Sequence, residues 1–227
     1  EAPGSEGHAR FRMFNGSSSS STSLLTTRTF QFDGQVVQAL PRGLQFRGFA
    51  DYTNNVVTQQ LVQHDTNAQR MMSGSLQGTY GRLQFGAEAG ITDTFNGDAA
   101  PVRYGTLPRI RLDLASAPIG QSRVYAGVGS DFTAIVRQDA VGDPATDRGL
   151  YRFDLNPTVR TPIGNLPYLA VSAAAAYRFT YWSEQLDTTG AQVAQSLTRQ
   201  LATFRAEVAG PKFSRIFDTP EIGRAHV

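Results

Sequence analysis

The sequence lacks cysteine and any long apolar run, and each absence excludes a class of protein. With no cysteine among its 227 residues, the chain cannot be a small scaffold held by disulfides. No apolar run approaches the ~18 residues that a transmembrane helix needs, so the chain is not a helical membrane protein. Hydrophobic residues still make up 40% of the sequence, which suffices for one all-β unit.

The sequence also lacks an excess of charge of either sign. It has 21 basic and 19 acidic residues, which gives a net charge of +2. Both signs are spread along the chain, and no stretch forms the basic patch that nucleic-acid-binding proteins carry. We therefore expect no nucleic acid among its partners.

Histidine is scarce, and this limits the catalytic chemistry available to the chain. The three histidines are His8, His64 and His226, and only His64 stands beside a carboxylate, that of Asp65. Acid–base or nucleophilic catalysis needs a base next to a nucleophile or an activated water, whereas neighbours on an extended chain point apart. No group of histidines and carboxylates has the spacing of a metal site. We therefore expect no enzymatic activity, cofactor or metal.

The connections between strand-like runs alternate between short and long. Tight turns are predicted near residues 41–43, 81–82, 117–120 and 161–164. Polar loops rich in Asn, Asp and Gly are predicted near residues 56–69, 94–105, 138–148 and 183–196. Short turns on the periplasmic side and long loops outside are typical of outer-membrane β-barrels.

Period-2 alternation of apolar and polar residues predicts about nine strands. In one of them Phe153 and Leu155 alternate with Arg152 and Asp154. The runs reach about eleven residues, a length that crosses a membrane on a tilted path. Aromatic residues such as Tyr80 lie near strand ends, as they do in an interfacial girdle.

A soluble sandwich or a lipocalin-like barrel shows the same alternation, with its apolar face turned inward. The strand length and the position of the aromatic residues favour the membrane instead. The predicted fold is therefore all-β. It is an antiparallel meander of about nine transmembrane strands that forms an open segment of a large outer-membrane β-barrel.

The chain divides into three parts by composition. Residues 1–23, which include a serine run, are predicted to be a flexible leader, and residues 24–220 to be the partial barrel. Residues 221–227 resemble the translation of a sequencing-library adapter, so we expect them not to be native. The chain begins at Glu1 without a signal-type segment, and we expect such a segment upstream.

Charges on the predicted strands keep to the polar phase. We expect a set of these residues to face the lumen of the barrel: Arg152, Asp154, Arg178, Arg205 and Glu207. Their simplest role is a network of paired charges. Alternatively, some of them contact a plug lipoprotein or the phosphorylated sugar of a passing lipid, because arginine binds phosphate through two parallel hydrogen bonds.

Four segments of the chain carry a resemblance to a known family. They are RGLYRFDLNPTVRTP at 148–162, LPYL at 166–169, YRFTYWSE at 177–184 and GPKFSRIFDTP at 210–220. In their sequence pattern of strands and turns, these segments resemble the barrel domain of the LptD (OstA) family. Proteins of this family assemble lipopolysaccharide in the outer membrane. The resemblance extends from about residue 29 to residue 220 and is closest to divergent members of acidobacterial type.

The resemblance implies a barrel of about two dozen strands, of which this chain supplies a section. It also implies a periplasmic domain that receives lipopolysaccharide from bridge proteins, a lipoprotein that plugs the lumen, and a seam through which the lipid leaves. The expected function is assembly of lipopolysaccharide or a related glycolipid into the outer leaflet, with the chain located in the outer membrane. A generic porin or transporter barrel is the alternative, and a barrel-embedded hydrolase is the third.

Overall fold

In the computed structural model most of the residues that the structure describes are in β-strands. The structure describes residues 4–20, 23–54, 69–95, 100–166, 169–210, 216–219 and 223–226. The predicted loop at 56–69, with His64 and Asp65, lies outside these residues except for its last position. Within them, no helix is long and apolar enough to span a membrane.

Ten strands form one antiparallel sheet in which every strand pairs with the next along the chain. They are β1 (Glu6–Ser20), β2 (Ser23–Leu40), β3 (Leu44–Thr53), β4 (Gln69–Tyr80), β5 (Leu83–Thr94), β6 (Val102–Pro118), β7 (Tyr125–Gln138), β8 (Leu150–Leu166), β9 (Leu169–Trp182) and β12 (Leu197–Ala209). Two small hairpins lie outside the sheet, β10 (Gln185–Leu186) with β11 (Gln192–Val193) and β13 (Ile216–Thr219) with β14 (Gly223–His226). The prediction of an all-β antiparallel meander is confirmed.

The sheet has one strand more than expected, because residues 6–20 form β1 where the sequence predicted a flexible leader. β1 pairs with β2 from Glu6↔Val37 to Ser20↔Ser23. The ring of Phe11 stacks on Phe30 with centroids 6.5 Å apart. The alternation of Phe11 with Arg10 and Arg12 was present in the sequence, but the polar serine run that follows obscured it.

Three of the four tight turns lie where the sequence predicts them. The turn at Pro41–Gly43 uses the left-handed conformation twice, at Arg42 (φ 64°) and Gly43 (φ 74°). Gly81 (φ 58°) occupies the first position of a two-residue hairpin turn, where a type II′ turn requires positive φ. A third turn connects Pro118 to Tyr125.

The fourth turn differs from the prediction, because residues 161–164 belong to β8. This strand continues to Leu166, which pairs with Leu169 at the start of β9. The register shifts between Pro162 and Gly164, so the two residues that suggested a turn mark a β-bulge instead. Proline and glycine signal both features, and the sequence alone does not distinguish them.

The longer connections lie at the opposite end of the strands from the tight turns. β5 and β6 are joined by residues 95–101, a shorter loop than the predicted 94–105, because β6 already begins at Val102. The connection from β7 to β8 contains a single 3₁₀ turn at Pro144–Thr146. The loop predicted at 183–196 contains the hairpin of β10 and β11.

The hairpin of β10 and β11 turns around the carboxylate of Asp187. This carboxylate accepts hydrogen bonds from the hydroxyl of Thr189 at 2.6 Å and from the backbone N–H groups of Thr189 and Ala191 at 2.8 and 2.9 Å. These donors stabilise the charged form and hold the pKa of Asp187 below its ordinary value, and the Thr189 hydroxyl has the largest effect.

We expect the carboxyl group of Asp187 to titrate below the ~3.9 of an unperturbed aspartate. Because the pKa is lower in the folded state, the charged carboxylate stabilises the hairpin above the unfolded pKa. That contribution is lost as the pH falls through the folded pKa. A carboxyl-carbon NMR titration measures this, and the variant Thr189→Ala should move the pKa upward. An ordinary pKa in the unchanged chain would contradict the hydrogen-bond assignment.

The strand register sorts the side chains onto two faces, because directly paired residues of an antiparallel sheet share a face. The apolar face is defined by Phe32, Met72, Leu112, Phe153 and Phe204. The polar face is defined by Glu88, Arg109, Asp131, Asp154 and Arg178. The residues that the sequence assigned to the apolar and polar sides of the strands lie on the apolar and polar faces of the sheet.

The sheet is a single layer, and no second layer covers its apolar face within the described residues. Ala134 is the only described hydrophobic residue that is buried, at 6% exposure, while Phe204 on the edge strand β12 is 82% exposed. Three recesses of about 400, 550 and 640 Å³ lie on the polar face of the sheet, lined mainly by polar-face residues. The polar face is therefore the concave one.

Candidate functional site

The register places all five predicted site residues on the polar face. Arg152 and Asp154 lie on β8, Arg178 on β9, and Arg205 and Glu207 on β12. The structure brings the first three together in one cluster. The other two form a separate ion pair of 3.6 Å with side chains 74% and 61% exposed.

Asp154 is the centre of the first cluster. Its carboxylate accepts a hydrogen bond from the hydroxyl of Thr180 at 2.6 Å. The guanidinium groups of Arg152 and Arg178 lie 2.5 and 3.3 Å from the same carboxylate. The Asp154 side chain is 11% exposed, whereas those of the arginines are 38% and 55% exposed. The carboxylate is thus enclosed, and the two positive groups face the recess.

Asp131 is the centre of a second cluster in the same recess. It contacts the guanidinium of Arg109 at 2.8 Å and that of Arg111 at 3.4 Å, and it accepts a hydrogen bond from the hydroxyl of Thr133 at 2.7 Å. Arg109 also reaches Glu88 at 3.1 Å. Sequence reasoning assigned Arg109 and Asp131 to the polar phase without joining them, because only the register of β6 against β7 brings them together.

The two cluster centres are direct cross-strand partners, since Asp131 pairs with Asp154 between β7 and β8. Like charges in this position repel each other. The surrounding arginines offset the repulsion: the recess is lined by Arg109, Arg111, Arg152 and Arg178 against Asp113, Asp131 and Asp154. The recess therefore carries an excess of one positive charge.

A third cluster lies on the apolar face, at the end of the sheet that carries the long loops. Asp93 is buried at 2% exposure and contacts the guanidinium groups of Arg70 at 2.6 Å and Arg103 at 2.7 Å. The Arg70 guanidinium also lies over the rings of Tyr52 and Phe95, at 5.3 and 5.0 Å from their centroids. We call these five residues the outer arginine cluster.

Sequence reasoning missed the outer arginine cluster. Arg70 and Asp93 fall in the apolar phase of their strands, two positions from Met72 and Ile91. A charged residue at a position where the alternation calls for an apolar one could have pointed to Arg70 and Asp93. Arg103 gave no such signal, because a β-bulge in β6 between Thr106 and Arg109 shifts its phase.

The same arrangement recurs across the sheet and its loops. Among the described residues, four aspartates each contact two arginines: Asp93, Asp131, Asp139 and Asp154. Each group carries an excess of one positive charge if Glu88 is set aside. Guanidinium groups in this state retain N–H donors for a further anion.

The clusters do not suggest a metal site. No group of three or more histidine, aspartate or glutamate side chains in the described part of the chain could hold a metal ion. No family model matches the chain, and no curated protein matches it. The features of the chain that bear on function are the two faces of the sheet and the arginine clusters.

Proposed function

We propose that the chain is a section of an outer-membrane β-barrel that takes part in assembling lipopolysaccharide or a related glycolipid into the outer leaflet. One observation carries the membrane part of this proposal. The sheet is a single layer whose recesses lie on its polar face, so its apolar side chains point away from the recessed side. Lipid covers such a face in a membrane barrel.

A soluble barrel or sandwich requires the opposite arrangement, with the apolar face turned inward. The strand lengths also support the membrane. Strands of the sheet have 10 to 18 residues, which exceeds the ~5–6 common in soluble proteins and covers the ~9–11 needed to cross hydrocarbon. Aromatic rings stack near the long-loop end, as in Phe30 on Tyr52 at 6.1 Å and Phe132 on Tyr151 at 6.2 Å.

The glycolipid part of the proposal rests on the resemblance to LptD together with the Asp154 cluster. Two of the four segments that carry the resemblance lie on the neighbouring strands β8 and β9. They contribute Arg152 and Asp154 from one segment, and Arg178 and Thr180 from the other. Arginines that outnumber carboxylates in a recess suit a phosphorylated sugar or a polar plug protein.

A porin or transporter barrel is the second candidate. Opposed arginine and aspartate side chains on one wall, such as Arg109 with Asp131, also favour this function, because charged rings set the selectivity of pores. The two candidates differ in what the polar face contacts. A lipid-assembly barrel holds a plug or a glycolipid there, and a porin holds water and small solutes.

We expect a photo-crosslinking amino acid at position 178 to capture a lipoprotein or a glycolipid in living cells. Position 179 is the matched control, since Phe179 is the next residue on β9 and faces the apolar side. Crosslinked products are identified by mass spectrometry. Equal capture of the same lipoprotein from both positions would contradict the assignment of the faces.

Depletion of the protein separates the two candidates. If it assembles lipopolysaccharide, depleted cells should become sensitive to large apolar antibiotics, because the outer leaflet loses its barrier lipid. If depletion instead abolishes uptake of one small solute and leaves the barrier intact, the transporter candidate replaces the proposed function.

A further inference from the structure

The outer arginine cluster is unusual because it places charge on the apolar face. Arg70 pairs with Asp93, and Asp93 with Arg103, so the three share the face of Met72 and Ile91. Ionised side chains turned toward hydrocarbon are costly unless they lie near a boundary of the membrane. The position of the cluster along the strands therefore matters.

The depth of the cluster follows from strand geometry. Along β4, Arg70 and Tyr80 lie on the same face near opposite ends of the strand. The ten residue steps from Arg70 to Tyr80 span about 34 Å at ~3.4 Å per residue, or about 26 Å along the membrane normal at a tilt of ~40°. The apolar band of an outer-membrane barrel is ~25 Å tall. With Tyr80 at one boundary, Arg70 lies at the other, among lipid headgroups.

The charge of the cluster is suited to an anion at that depth. Two guanidinium groups share one carboxylate, which leaves an excess of one positive charge. The Asp93 side chain is 2% exposed, whereas those of Arg70 and Arg103 are 18% and 28% exposed. A molecule that approaches from outside therefore meets the positive groups and not the negative one.

We propose that the outer arginine cluster is a binding site for the phosphate headgroup of an anionic membrane lipid. Guanidinium groups bind phosphate oxygens through charge-assisted hydrogen bonds, and the rings of Tyr52 and Phe95 lie against the guanidinium of Arg70. The lipid chains then lie along the apolar face below the cluster. This site rests on the proposed membrane location but is separate from the polar face.

The test uses the complete barrel that contains this section, reconstituted in vesicles that contain equal amounts of phosphatidic acid and phosphatidylcholine. Native mass spectrometry after gentle release counts the lipids retained by each protein. We expect the unchanged protein to retain phosphatidic acid over phosphatidylcholine by about tenfold. Arg103→Gln, which removes the excess charge, should bring the ratio close to one.

Asp93→Asn provides a second variant with the opposite expectation. It raises the excess charge and should increase the preference for phosphatidic acid. Both variants break the same ion pair, so misfolding alone cannot move the ratio in opposite directions. Arg199→Gln is the matched control, because it removes the same charge near the same end of the sheet on the polar face. It should leave the ratio unchanged.

Three outcomes would overturn the inference. One is that Arg103→Gln leaves the ratio of retained phosphatidic acid to phosphatidylcholine unchanged, or that Arg199→Gln lowers this ratio as much as Arg103→Gln does. Another is displacement of phosphatidic acid by inorganic phosphate in tenfold excess, which would assign the site to a soluble anion. The third is failure of that barrel to insert into vesicles, seen by proteolysis of the strands of this section. That result would remove the proposed function as well, whereas the first two leave it intact.

Discussion

Replacing Ala175 with arginine is expected to destabilise the protein in a bilayer by about 2–4 kcal/mol, whereas the same replacement at Ala176 should cost much less. Ala175 pairs with Val159 and Phe204 on the apolar face. Ala176 pairs with Thr158 and Thr203 on the polar face. The two positions are adjacent near the middle of β9, and both are alanine in the unchanged chain. The difference in cost between the two variants therefore measures the effect of the face alone.

The physical reason is the cost of placing a guanidinium in hydrocarbon. At position 175 the side chain must extend toward a membrane boundary or draw water into the lipid, and both cost free energy. At position 176 it enters the concave, hydrated side. Chemical unfolding of both variants in vesicles measures the difference. Equal costs at the two positions would show that lipid does not cover the apolar face.

Replacement of Asp154 with asparagine is expected to cost about 2–3 kcal/mol of folding stability, because two arginines and Thr180 then lose a charged partner. Breaking a fully buried ion pair costs ~3–5 kcal/mol. The expected loss is smaller here, since the two arginine side chains are 38% and 55% exposed and water relieves part of their charge.

Glu207→Gln is the control for this prediction. Glu207 pairs with Arg205 at 3.6 Å, and both side chains are more than half exposed. Its loss should cost no more than about 1 kcal/mol, as for other exposed pairs. Unfolding of both variants in the same vesicles provides the comparison. A loss at Asp154 no larger than that at Glu207 would show that the Asp154 cluster contributes little to stability.

The faces of the strands could be predicted from the sequence because they depend on local alternation. Arg152, Asp154 and Arg178 each lie in an unbroken period-2 run, and the structure places all three on one face. Which of these charges meet depends on strand register, which no local pattern specifies. The sequence therefore predicted the polar face but not the pairing of Arg109 with Asp131.

Local patterns failed where they were interrupted or ambiguous. The polar serine run at the end of β1 obscured this strand, although Phe11 of β1 packs on Phe30 of β2. Pro162 and Gly164 suggested a turn and instead mark a bulge. The outer arginine cluster needed both a phase shift in β6 and the pairing of three strands, so only the folded sheet brings Arg103 to Asp93.

The β-bulge in β6, and not the alternation of the sequence, places Arg103 on the apolar face. Between Thr106 and Arg109, β6 has two residues, Leu107 and Pro108, opposite one residue on each neighbouring strand. In a regular strand that kept both residues, Val102–Thr106 would turn over as a unit and Arg103 would leave Asp93 for the polar face. Deleting one of the two residues would instead remove the bulge and leave Arg103 opposite Asp93. One lost codon at this point would thus leave the chemistry of both faces unchanged.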